Sequence, residues 1–391
     1  MNPQTIQERI KLYRDGLLLD VVPFWMNHAV DKTCGGFFTY LDRKGEVYGT
    51  MKPVWIQGRF TWLLSTLYNE VEKKPEWLQT AKHGIEFLER HCFDADGRMF
   101  FEVTREGAPL RKRRYLFSET FASIAFARYA QAAGDDRRLE RAKTIFKTLL
   151  HYYRNPQLLP PKYSPAFQAK SHSMAMILIV TAQQMRLVWN DPLLDETIDH
   201  CIDQVVNHFM KPDLQALLET VGPDGEFIDS PIGRSVVPGH AIETAWFLLE
   251  ESRHRNDVSL RDKALTIIDW SLRRGWDEEF GGLLYYVDAL GKPCVQYEHD
   301  MKLWWPHNEA IYATLLAYHL TGRTEYEQWY ERLHEYTYRH FPDPQYGDWI
   351  KYLHRDGSVS TTLKGNGWAG PFHVPRMQLK CWQLLEEMKK E

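Results

Sequence analysis

Cysteine pairs are missing from this chain. Its five cysteines (Cys34, Cys92, Cys201, Cys294 and Cys381) lie far apart in 391 residues and never form CxxC. An odd, scattered set excludes a zinc knuckle, argues against a disulfide framework, and reads as the reduced thiols of a cytoplasmic protein. Long apolar runs are missing too, since no stretch approaches the ~20 residues that span a bilayer. The opening MNPQTIQERIKLYRDGLLLD carries acids and amides where a signal peptide needs an apolar core. Excess charge is absent as well. A formal net charge of −4 gives no footprint for nucleic acid or an anionic membrane. There is no HExxH or comparable metal spacing, no GxSxG nucleophile elbow, and no P-loop. GNGWAG, residues 365–370, lacks the Lys-Ser/Thr that a phosphate cradle requires. No Ser/Gly-rich linker divides the chain, so residues 1–391 read as a single domain.

What the chain has in quantity is aromatic residues and a repeat. Its 14 Trp, 20 Tyr and 19 Phe serve either bulk packing or an aromatic-lined carbohydrate cleft. Six segments share one form, an irregular approach followed by polar residues and then an apolar helical run. They are KPVWIQGRFTWLLSTLY from Lys52, YLFSETFASIAFARYA from Tyr115, AKSHSMAMILIVTAQQM from Ala169, VPGHAIETAWFLLEE from Val237, LWWPHNEAIYATLLAYHL from Leu303 and GPFHVPRMQLKCWQLLE from Gly370. Starts spaced roughly 55 to 70 residues apart leave room for two helices and their loops. Between them lie amphipathic runs such as PEWLQTAKHGIEFLERH and LRDKALTIIDWSLRRGW, each with one wet face. Four Gly-containing turns, in GGFFTYLDRKGEVY, DGRMFFEVTREGAPL, GGLLYYVDALGKPCVQ and DWIKYLHRDGSVS, predict short β-hairpins, and DGEFIDSPIGRSVVPGH is a looser version. The pattern predicts an all-α fold, an (α/α)6 barrel of six inner and about six outer helices with hairpins in the loops.

In such a barrel the first turns of six inner helices surround one mouth. His240, His307, Glu309, His373, Glu119, Arg59 and His172 all stand at such turns, with Glu243 one turn beyond His240. His240 alone reads as a helix-capping or satisfied buried histidine. His373 in the same place of another repeat changes that, because two imidazoles titrating near neutrality supply a base and an acid. Glu309 near its helix start is either an N-terminal charge favoured by the dipole or a partner for a histidine. His307, two residues earlier, points elsewhere around the helix. Arg59 offers a planar fork of donors to an oxyanion, or pairs with Glu119 or Glu309. Trp304, Trp305 and Trp368 stack on a sugar or pack the core. The run Arg111–Arg114 is a solvated patch or an anion site.

KPVWIQGRFTW, DGRMFFEVTREGAPLRKRRYLFSETFA, PGHAIETAW, KLWWPHNEA, DWIKYLHRDG and GPFHVPR, in this order and spacing, resemble the N-acylglucosamine 2-epimerase family over essentially the full length. The resemblance implies the same barrel and reversible interconversion of N-acetyl-D-glucosamine and N-acetyl-D-mannosamine. It implies His240 and His373 as the acid/base pair, with Arg59 and Glu309 supporting the open-chain sugar. Glu119, Glu243, His172 and the three tryptophans, together with Arg376, are the expected substrate-binding residues. It further implies a homodimer acting on a small amino sugar, with no cofactor for the chemistry and ATP as an activator that is not consumed. Cellobiose 2-epimerases and mannose isomerases share the barrel and are the nearest alternatives, followed by a glycoside hydrolase using Glu119, Glu243 or Glu309, and a non-catalytic sugar-binding protein. Lys162 and Lys170 lie in the stretch least similar to the family, and no role follows for them.

Overall fold

Six inner helices stand as the repeat predicts in the computed structural model, which describes residues 1–390. They are α3 (Val54–Glu70), α5 (Phe117–Ala133), α7 (Ser173–Arg186), α9 (Pro238–Arg255), α11 (Trp304–Thr321) and α13 (His373–Met388). Five outer helices alternate with them: α4 (Pro75–His91), α6 (Asp136–Arg154), α8 (Pro192–Asp203), α10 (Val258–Gly275) and α12 (Thr324–His340). The sixth outer position belongs to α1 (Pro3–Asp15), which packs on α13; a π-helical turn, Gly16–Val21, then leads into α2 (Val22–His28). Local chemistry starts and stops these helices. Asp135, Asp191 and Asp257 cap α6, α8 and α10 by accepting backbone N–H groups, while Gly134 and Gly322 end α5 and α11 in the left-handed region.

Each inner helix packs on the next from α3 round to α13. The ring closes where the Phe372 ring meets Trp62 of α3 at 5.5 Å. Two inner helices are buried on all sides along most of their length, α3 from Val54 to Leu67 and α11 from Trp304 to Ala317. Outer helices bury one stripe, as with Trp77, Ala81, Ile85 and Leu88 of α4.

Three of the four predicted hairpins form: Tyr40–Leu41 with Val47–Gly49, Glu102–Val103 with Pro109–Arg111, and Tyr352–Leu353 with Val359–Thr361. The fourth, in GGLLYYVDALGKPCVQ, does not. Val287–Asp288 pairs instead with Ser235–Val236, the strand that leads into α9. Asp288 accepts from Arg234 Nε at 2.8 Å and from the Leu290 N–H at 2.8 Å, which turns the chain away before a return strand forms.

An ion triad, a buried Asp–Lys pair joined by an arginine at the surface, recurs three times in this frame. Asp31 accepts from Lys52 Nζ and Arg105 Nε, each at 2.9 Å, and Asp277 holds Lys302 and Arg355 at the same distances. Asp343 holds Lys364 Nζ at 2.9 Å and Arg43 Nε at 2.8 Å. Burial alone would raise these carboxyl pKa values, but the paired cations outweigh it and hold all three well below the usual carboxylate range. A depressed folded-state pKa stabilises above the unfolded value, about 3.9 for Asp, and the contribution is lost as pH falls. The thermal midpoint is therefore expected to be level between about pH 5 and 7 and to drop below about pH 4. Asp277→Asn, which strands the buried Lys302, is expected to cost about 3–5 kcal/mol by denaturant titration. A midpoint unchanged down to pH 3 would contradict this account.

Candidate functional site

The Pro-Gly before His240 sets the site. Pro238 occupies the first turn of α9, where its missing N–H is not needed. Gly239 lies under the Trp305 indole, so a Cβ there would come within 2.7 Å of that ring. The indole in turn faces both imidazoles: its ring centroid is 4.9 Å from His240 and 5.7 Å from His373. The two histidines thus flank one aromatic wall.

Each imidazole is anchored through Nδ1. His373 Nδ1 lies 2.7 Å from Glu309 Oε1, and His240 Nδ1 lies 3.0 Å from Glu219 Oε1. A carboxylate only accepts, so Nδ1 carries the proton and Nε2 is left for other chemistry. Beyond that the surroundings diverge. Glu309 also accepts from Trp246 Nε1 at 2.8 Å and pairs with Arg376 at 2.7 Å; Arg376 reaches Glu243 as well. Burial, with the charges of Arg376 and Arg59, drives the His373 pKa well below its ordinary value. Burial opposes the charged form of His240 too, but Glu219 and then Glu243 outweigh it and raise its pKa. One imidazole is held neutral while the other favours the proton, a division that marks acid and base.

Arg59 has no carboxylate within ion-pair distance among the described residues. Its guanidinium lies 4.2–4.4 Å from the ring centroids of Trp55, Phe121 and Phe372, and its Nε has no hydrogen-bond partner. Burial brings its pKa down to about 9. The expected alternative of a salt bridge to Glu119 or Glu309 is not what forms. Donor-type atoms of Glu243, Glu309 and His373 lie within 4.8 Å of one another, an arrangement able to hold a cation, but the Arg376 guanidinium already bridges the two carboxylates.

Several residues expected at the mouth serve the frame instead. Glu119 accepts from the Met99 N–H at 2.8 Å, in the hairpin loop before α5. His307 accepts from the Leu283 N–H at 2.8 Å and contacts the Leu303 carbonyl at 2.6 Å. Gln57 of α3 binds Phe37 through both backbone groups in the same manner. These three stand in the first turns of α3, α5 and α11 and tie each of those helices to the loop outside it. His172 is buried behind His240. Thr244 Oγ1 donates to the His240 carbonyl at 2.8 Å, so it accepts from His172 Nε2 at 3.1 Å, and burial lowers the His172 pKa to about 4. Trp304 is buried against Tyr352, its ring centroid 6.3 Å from His373, while Trp368 is exposed at the rim over Trp55. The run Arg111–Arg114 disperses: Lys112 pairs with Asp94 and Asp96, and Arg113 stacks on Phe101.

Beside the site, a cavity of about 980 Å³ lies under residues 155–171 and is lined in part by Tyr115, Tyr153 and Lys162. Lys162 acts electrostatically on Glu219 and His240, whereas Lys170 is held by Gln204 and His208.

A family model described as N-acylglucosamine 2-epimerase (GlcNAc 2-epimerase) matches residues 36–373. The N-acylglucosamine 2-epimerases of Bos taurus and Homo sapiens are 37% and 36% identical to the chain, over 98% and 95% of it and 93% and 89% of their own lengths. The chain belongs to the N-acylglucosamine 2-epimerase family. A solved cellobiose 2-epimerase from Spirochaeta thermophila shares the barrel, with a TM-score of 0.84 over 99% of this chain and 98% of its own at 22% identity. The family match spans Arg59, Glu219, His240, Glu243, Glu309 and His373. Glu219 and Trp246, which contact His240 and Glu309, are the members of this arrangement that motif reasoning missed. Glu219 stands between two two-residue strands with no periodicity to mark it, and Trp246 reads as helix core.

Proposed function

We propose that the protein interconverts N-acetyl-D-glucosamine and N-acetyl-D-mannosamine by two-base proton transfer at C2 of the ring-opened sugar. The supporting observation is the pair of imidazoles on one indole wall, each anchored at Nδ1 and biased to opposite protonation states. The C2 hydrogen is acidic only beside a free C1 carbonyl, so the hemiacetal opens first. His373 Nε2, neutral, removes the proton in one direction. The intermediate is an enediolate, planar at C2, and His240 returns a proton to the opposite face. Arg59, unpaired and desolvated, stabilises the charge developing on O1. Glu309 holds the His373 tautomer. In the reverse direction the two imidazoles exchange roles. No cofactor enters this sequence.

A glycoside hydrolase reading fits less well. Its two carboxyl groups flank the scissile bond with one kept protonated, whereas Glu243 and Glu309 share a single guanidinium. A reducing cytoplasmic setting accords with all five cysteines being unpaired. A homodimer, a place in amino-sugar metabolism supplying sialic acid precursors, and stimulation by ATP without its consumption complete the proposal. These last three rest on the family resemblance.

The test is proton NMR of N-acetyl-D-mannosamine with the protein in D₂O, with and without ATP. N-acetyl-D-glucosamine deuterated at C2 is the expected product, with cellobiose and free mannose turned over far more slowly. Product without C2 deuterium, or no product, would overturn the reading.

A further inference from the structure

We propose that Glu219 is the positioning residue for His240, the counterpart of Glu309 for His373, and that it sets which imidazole starts the cycle as the acid. The inference rests on the two-imidazole reading above. Glu219 lies before the strand Thr220–Val221, which pairs with Lys170–Ser171 leading into α7. Its backbone is fixed on both sides: the Glu219 carbonyl accepts from the His172 N–H at 3.1 Å, and the Glu219 N–H donates to the Ser235 carbonyl at 3.1 Å. The carboxylate is thereby held between the approaches to α7 and α9, where its Oε1 meets His240 Nδ1. Thr244 and His172 brace the same histidine from behind through its carbonyl.

The two anchors differ in what surrounds them. Glu309 faces Arg376, so its charge is largely spent on a guanidinium. Glu219 has no arginine or lysine within ion-pair distance among the described residues; its ion-pair partners are His240 and, at 3.9 Å, His172. The charged and titratable groups facing His240 are Glu219 from this segment, Glu243 on α9, Lys162 from the loop before α7, His172 at the start of α7, and His373 across the site on α13. Of these only Glu219 contacts the ring with an unshared negative charge. The paired geometry thus gives both imidazoles the same tautomer, and the unequal charge gives them different proton affinities.

Glu219→Gln and Glu219→Asp test the assignment, with pH profiles of kcat and kcat/KM measured in both directions. Glu219→Gln is expected to lower kcat about 10- to 100-fold with KM changing little. In the direction that starts with His240 protonated, the high-pH limb of kcat/KM should move about one to three units lower. Glu219→Asp should restore part of both. A wild-type thermal midpoint in Glu219→Gln separates this from misfolding, and a misfolded Gln variant leaves the Asp variant's pH limb to decide. An unshifted limb in a folded variant, with or without a fall in kcat, overturns the inference. His240→Asn run in parallel keeps the two readings apart. If it epimerises normally the two-imidazole reading fails, and if it is inactive while Glu219→Gln behaves as wild type only the role of Glu219 fails.

Discussion

His373→Asn and His240→Asn are each expected to lose epimerisation by about 10²–10⁴-fold. Asparagine keeps an N–H donor for the anchoring carboxylate, Glu309 in one case and Glu219 in the other, but it has no lone pair of useful basicity. The frame around each position is otherwise undisturbed, since among the described residues neither imidazole bonds to backbone through Nε2. The loss should be accompanied by an asymmetry. With one base removed, the surviving imidazole can still take the C2 proton of the epimer it faces and give back solvent deuterium to the same face. Each variant in D₂O is therefore expected to label one epimer at C2 without inverting it, and the two variants should label opposite epimers. Near-normal epimerisation by both variants would show that neither imidazole handles the proton.

Arg59→Met is expected to lower kcat by about 10²–10³-fold, the range for removing one preorganised donor from a developing oxyanion. The same change should leave the thermal midpoint level or raise it. The guanidinium is buried among three aromatic rings with no carboxylate against it, so folding desolvates a charge without a compensating pair. A thioether of similar length keeps the contacts and removes that cost. Activity and stability thus move in opposite directions at this residue, as they do where a site is strained for function. A marked fall in midpoint with activity retained would make Arg59 a packing residue.

The barrel was legible in the sequence because helix periodicity and turn chemistry are short-range. VPGHAIETAW and GPFHVPRMQL announce a breaker, a first turn and an apolar body within a dozen residues. The rotation of each inner helix about its own axis was not legible. A helix buried on every side, as α3 and α11 are, has no wet face from which to judge which first-turn residue looks inward. Glu119 therefore read as a mouth residue when it holds Met99, whereas His307 does point elsewhere around its helix, to Leu283. Gln57, Glu119 and His307 share only the ability to accept a hydrogen bond, which does not reveal that the donor is a loop N–H. Glu219 was hidden for another reason. Its placement comes from a two-residue strand, Thr220–Val221, paired with Lys170–Ser171, and from one backbone bond to Ser235, contacts beyond what local pattern reports.

The helix carrying His373 is the last of the ring, and the surface that covers it is made by the first. Gly16 lies against Gln378, Tyr13 bonds to Tyr330, and Arg43 reaches across to Asp343. The loop is thus buckled end to end. During synthesis the pocket between His240 and His373 cannot be complete in a nascent fragment, because its final wall and the backing for that wall leave the ribosome at opposite times. Trimming Pro3–Asp15 would act at a distance, loosening the grip on an imidazole more than three hundred residues downstream while touching nothing the sugar meets.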